Sequence, residues 1–116
     1  MVDIWFANNM RDSMLFLVGA ATASNGANWT AVPPDSIQTQ QNRGQPYQAA
    51  ANLPAGGSVA VSYRRTNVNP QPQIHVTITN NAGAIQVMAN PTDAALLNGS
   101  IQQSQGQVIV TFRGQE

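Results

Sequence analysis

The chain has 116 residues, of which only 9% are charged: five arginines balance four aspartates and one glutamate, and lysine and cysteine are absent. Neutrality without a basic run excludes the electrostatic footprint of a nucleic-acid binder and the polybasic attraction to anionic lipid. Absent thiols exclude disulfides and thiolate metal sites, and no apolar run approaches the roughly 18 residues of a membrane-spanning helix. The polar surface must instead be built from amides, since 12 Asn and 13 Gln make up about a fifth of the sequence.

The first predicted strand is Val2 to Phe6, with apolar residues at the even positions, so that Trp5 points away from the Ile4 side. Next comes Met14 to Val18, a short continuous apolar run of the kind covered on both faces in mid-sheet. Residues 11–29 also resemble a secretory leader, with an arginine, an apolar run and a small-x-small site. However, Asp3 and Asp12 offset Arg11 and the amino terminus, and cleavage after Ala23 would delete two strands. No signal peptide is therefore expected, and Ala20 to Trp29 is read as a loop.

Turn chemistry punctuates the rest: Ser24-Asn25-Gly26, Val32-Pro33-Pro34-Asp35, Asn42-Arg43-Gly44, Pro54-Ala55-Gly56-Gly57, Asn69-Pro70, Asn80-Asn81-Ala82-Gly83 and Asn98-Gly99. Between these turns the alternation is strict in Ser58 to Arg64, where Val59, Val61 and Tyr63 face one way. It is equally strict in Ile74 to Thr79 and Val108 to Arg113, and weaker in Pro46 to Ala51, Ala84 to Ala89 and Ser100 to Ser104. Only Thr92 to Leu97 is a candidate helical turn, with Thr92 as its cap. The pattern predicts one all-β domain over residues 1–116, a compact antiparallel β-sandwich of seven to nine short strands.

Catalytic chemistry is sparse. His75 is the one imidazole, which excludes a multi-histidine metal centre, and it shares a strand face with Thr77 and Thr79 where water is expected. The aspartates are scattered, and Asp35 and Asp93 read as turn or capping residues. Gly56-Gly57 leads into a strand and so lacks the helix that a phosphate-cradling loop needs. Neither an enzyme nor a cofactor is expected. Binding chemistry is better supplied by Trp29, Trp5, Tyr47 and Tyr63, aromatic rings with polar tips. Trp29 in its loop could insert at a membrane interface, stack on a sugar, or fold back to cap the sandwich. Arg64 and Arg65, the one charge doublet, could grip a phosphate or carboxylate.

In order, these pieces resemble the aegerolysin family, including its short bacterial members that form half of binary insecticidal toxins. The resemblance rests on the strand ending Asn8-Asn9, the strand at Met14 to Val18, and the segment Gly26-Ala27-Asn28-Trp29 with Pro33-Pro34 and Ile37 behind it. It continues through Tyr47, Gly57-Ser58-Val59 and Tyr63 to the closing strand of Gln107 to Phe112. Two segments depart from the family pattern: Pro54-Ala55-Gly56-Gly57 lacks its acidic residue, and Ile78-Thr79-Asn80-Asn81 lacks its aromatic-Asp-Asn-Pro run. The resemblance implies a β-sandwich that recognises membrane lipid, typically sphingolipid or sterol-rich domains. It also implies a cytolytic or insecticidal pair with a larger pore-forming protein, the chain being made in the cytoplasm, released, and active at target-cell membranes. Two other readings follow from the residues: a carbohydrate-binding sandwich, because amides present donors and acceptors to sugar hydroxyls, and a self-associating protein, because near-zero charge favours homo-oligomers.

Overall fold

A computed structural model describes residues 1–39, 43 and 45–116. Eleven strands form among the described residues: β1 (Val2–Asn8), β2 (Leu15–Leu17), β3 (Thr22–Ser24), β4 (Asn28–Ala31), β5 (Ser36–Ile37), β6 (Tyr47–Asn52), β7 (Ser58–Arg65), β8 (Gln73–Asn81), β9 (Ala84–Pro91), β10 (Asn98–Ser104) and β11 (Gln107–Arg113). Sheet 1 has the order β10-β11-β1-β6-β4. Sheet 2 runs β5-β2-β7-β8-β9, with β3 also on β7. Because β2 pairs with Tyr63 to Arg65 and β3 with Ser58 to Ala60, the two short strands lie end to end along one edge of β7.

The all-β sandwich anticipated from the alternation is the fold observed, with two differences. The ladder between β1 and β11 is parallel, joining Asp3–Asn8 to Gln107–Phe112 in register. The strand number exceeds the expected seven to nine because β3, β4 and β5 form where the sequence reads as loop. β3 and β4 are mostly exposed and β5 is only two residues long, so none of them needs to show an apolar alternation. Backbone donors on β7, β6 and β2 supply their pairing. Part of the expected turn at Asn42-Arg43-Gly44, namely Asn42 and Gly44, lies outside the described residues.

The core follows from period two. Ile4 and Phe6 of β1, Val59, Val61 and Tyr63 of β7, Ile74, Val76 and Ile78 of β8, and Val108, Val110 and Phe112 of β11 are all buried. Three aromatic rings bridge the sheets: Phe6 and Phe112 stack at 6.1 Å, and Tyr63 meets them at 5.9 and 5.8 Å with steeply tilted planes. Both geometries suit the ring quadrupole. Met14 to Val18 does supply a strand, but Phe16 and Leu17 are only half-buried. β2 lies next to the edge strand β5, and Phe16 faces outward beneath the Arg64 guanidinium, 5.1 Å from its ring centre.

Thr92 to Leu97 forms a single isolated turn, but its cap is Asp93 rather than Thr92. The Asp93 carbonyl accepts from Leu96 N–H at 3.2 Å and Leu97 N–H at 2.9 Å, and its carboxylate accepts from Ala95 N–H at 3.1 Å. Thr92 is committed elsewhere, its hydroxyl accepting the Gln73 N–H at 2.9 Å at the end of the β8–β9 ladder.

The β3–β4 connection has positive φ at Asn25 (56°) and Gly26 (85°), and the β8–β9 hairpin at Ala82 (53°) and Gly83 (94°). This is the type I′ pattern whose twist matches a hairpin, and Asn-Gly suits it while Ala at the first position is strained. Ala82→Asn is therefore expected to stabilise the fold by about 1 kcal/mol; a lower midpoint in urea unfolding would contradict the strain at Ala82.

Candidate functional site

The six residues singled out from the sequence do not converge on one site. Tyr63 and Arg65 belong to the interior. Tyr63 is fully buried, and its hydroxyl donates to the Pro34 carbonyl at 2.7 Å. Burial, then the nearby charges of Asp35 and Tyr47, push its phenol above the ordinary tyrosine range. Arg65 is 3% exposed. Its Nε donates to Ser13 Oγ at 2.9 Å and its Nη1 donates to the Leu96 carbonyl, so its head is spent on tying β7 to two loops. A guanidinium buried to this degree is not placed to grip a ligand on the surface.

Beside it, buried Asn8 donates to the carbonyls of Ser13 (2.7 Å) and Ile37 (3.3 Å) and accepts from Met10 N–H (2.9 Å). The Glu116 carboxylate closes this end of the sandwich by accepting from Arg11 N–H at 2.7 and 2.8 Å and Asp12 N–H at 3.1 Å.

Trp29 and Tyr47 sit at the margins, half-buried against the core. Trp29 lies on β4 opposite Ala51, and its indole N–H donates to the Thr22 carbonyl at 3.0 Å, so it bridges the β3–β4 turn across the two sheets. Of the roles open to it in the sequence, this placement is the capping one. Tyr47 accepts the Gln38 N–H at 3.2 Å and lies under Arg43, whose Cζ is 3.6 Å from its ring centre. Arg64 faces outward on sheet 2, over Phe16 and bonded to Gln71 Oε1 at 2.8 Å.

Trp5 is the predicted aromatic on an open sheet face. Its register neighbours are Gln48 on β6 and Ile109 on β11, and Ile109 in turn faces Gln102 on β10. Directly paired residues in a sheet share a face. Gln48, Trp5, Ile109 and Gln102 therefore form one row across four strands on the outer side of sheet 1. A groove of about 400 Å³ lies over Ile109, Gln102, Gln103 and Ser104 at the end of this row. The row combines an indole and an aliphatic side chain with flanking amides that donate and accept. The next row holds Asp3, paired with Ala50 and Gln107. Gln48, Gln102 and Ile109 were missed in the sequence because they come into line with Trp5 only through the pairing of β1 with β6 and β11, and of β11 with β10.

On sheet 2, Ser62 Oγ lies 2.5 Å from His75 Nδ1, as direct cross-strand partners. β7, β8 and β9 carry no carboxylate, so these strands offer no acid to orient the imidazole. A second groove of about 410 Å³ runs between Pro70–Gln73 and the turn at Thr92, Asp93 and Leu96. Among the described residues no cluster of three or more His, Asp or Glu could hold a metal ion, and no helix is long and apolar enough to cross a membrane.

No protein-family model matches the chain, and neither a curated protein nor a solved structure matches it.

Two predictions follow from these placements. Trp29→Ala should cost about 2 kcal/mol in urea unfolding, since it strips a core margin and a hydrogen bond. Trp5→Ala should cost about 1 kcal/mol, because only cross-strand pairing is lost; the reverse order would exchange their roles. The hydrogen bond from Arg11 N–H, helped by that from Asp12 and by the charges of Arg11 and Arg65, holds the Glu116 carboxyl below its ordinary value of 4.5. Its folded pKa is thus depressed, so its stabilisation is complete above that ordinary value and is lost as pH falls through the folded one. Glu116→Gln should accordingly flatten the acid limb of the stability curve below pH 4.5, whereas unchanged limbs would remove Glu116 from that dependence.

Proposed function

We propose that this chain is a membrane-recognition module that reads a neutral lipid headgroup with the outer face of sheet 1 and acts beside a larger pore-forming protein. The observation that carries the reading is the row Gln48–Trp5–Ile109–Gln102. A ring that is apolar in body and polar at its tip suits the boundary between lipid headgroup and water. Flanking amides suit the hydroxyls and carbonyls found there. With formal charge zero, the target is held by contact and hydrogen bonding rather than by Coulomb attraction, so binding should depend weakly on salt. The resemblance to the aegerolysin family supports the pairing with a pore-forming partner.

The same row favours a second reading, a neutral glycan stacked on Trp5. Amides beside an aromatic ring recognise sugar hydroxyls as readily as a lipid headgroup.

Vesicle sedimentation across sphingolipid and sterol compositions tests the first reading. The native chain should sediment with at least one such composition, and Trp5→Ala should weaken it about tenfold, a loss of roughly 1.4 kcal/mol. Failure on every composition, together with binding on a glycan array that Trp5→Ala abolishes, would replace the lipid with a free glycan.

A further inference from the structure

The long edge strand of sheet 2 is β9, and its chemistry is that of a strand waiting for another. None of its eight residues, Ala-Ile-Gln-Val-Met-Ala-Asn-Pro, is charged. Natural sheets guard their edges with lysines, inward charges, bulges or prolines, because a bare edge templates pairing with another chain. Here the guards stand only at the ends. Pro91 lacks an N–H, and the Ile85 carbonyl is already taken by Gln103 Nε2 at 2.8 Å.

The direction of the backbone groups between them follows from parity. Thr92 N–H bonds the Gln73 carbonyl, so the residues in step with Thr92, namely Met88 and Asn90, bond β8. Val87 and Ala89 are out of step and turn their N–H and C=O outward, as Ile85 does. Among the described residues no hydrogen bond outside the strand ladders reaches either of them. Met88, on the outer face between them, is 58% exposed, one of three large hydrophobics so open.

We propose that β9 pairs antiparallel with β9 of a second copy about a two-fold axis through Met88. In that register Val87 lies opposite Ala89 of the other copy, and Ala89 opposite its Val87. Each pair exchanges two backbone bonds, which uses every free group of the bare stretch. Met88 packs against its own counterpart, and Gln86 faces Asn90 on either side, an amide against an amide. Ile85 falls opposite Pro91, so the two blocked positions meet each other. Centring the axis on Val87 instead would set Ala89 against the Ile85 carbonyl already in use. Centring it on Ala89 would set Val87 against the missing N–H of Pro91. A shift by a single residue would oppose inward with outward side chains. β10, the sheet 1 edge lying alongside, is also uncharged, so no like charges oppose the approach. The assembly joins two copies into one continuous sheet and leaves the outer face of sheet 1 free. It stands independently of the reading of that face.

Sedimentation equilibrium with native mass spectrometry tests the pairing. The chain of 12.3 kDa should reach twice that mass with rising concentration. Val87→Pro removes an outward N–H without touching the β8 ladder, and Met88→Lys sets two like charges against each other across the axis. Each should weaken dimerisation about tenfold or more while leaving the circular dichroism of the fold intact. Val32→Lys, at an exposed hydrophobic away from β9, should leave it unchanged. Hydrogen exchange at Val87 and Ala89 should slow in the dimer. A monomer at every concentration, or a dimer indifferent to Met88→Lys, overturns the proposal.

Discussion

The contact among Phe6, Phe112 and Tyr63 sets the terms for the rest of the molecule. Two of these rings come from neighbouring strands of sheet 1 and one from the middle of sheet 2, so burying them together clamps the sandwich at its centre. Phe6 and Phe112 can stack because β1 and β11 run parallel and adjacent. Tyr63 brings a hydroxyl into that core, and a buried hydroxyl without a partner would cost about 1–3 kcal/mol. The Pro34 carbonyl supplies the partner, and in doing so it holds the segment before β5 over the end of sheet 2.

Polar groups inside the sandwich are satisfied in the same local way. Arg65 and Asn8 each bond loop atoms, and no buried side-chain nitrogen or oxygen among the described residues is left without a partner. The Arg65 charge is thereby spent on construction at one end of the fold, with Glu116 closing it. What faces water is mainly amide, hydroxyl and scattered apolar surface. Such a surface distinguishes targets by shape and hydrogen-bond pattern, and it does not repel another copy of itself.

Much of this was legible in the residues. Val59, Val61 and Tyr63, Ile74, Val76 and Ile78, and Val108, Val110 and Phe112 alternate because one side of each strand meets the core and the other meets water. The same parity carried information about the candidate site. Tyr63 and Arg65 are two apart and share an inward face, while Arg64 looks out, although the doublet reads as one cationic patch. Trp5 is outward for the reason that Ile4 and Phe6 are inward. β3, β4 and β5 were not legible, because short strands held by the backbone of a neighbour leave little mark on their side chains. Trp29 belongs with them: its half-buried place depends on a carbonyl in β3 that no spacing in the sequence could indicate.

Local alternation and turn chemistry by themselves determined that the chain is an all-β sandwich, and they determined which side of each long strand is wet. Those are properties of a single strand and its solvent, set by a period of two. Tertiary structure alone decided which wet residues become neighbours. The pairing of β1 with β6 on one side and with β11 on the other, and of β11 with β10, lines up Gln48, Trp5, Ile109 and Gln102, and the sheet order leaves β9 at an edge. Both depend on register between segments distant in the chain, and backbone hydrogen bonds that fix register are the same whatever side chains they carry.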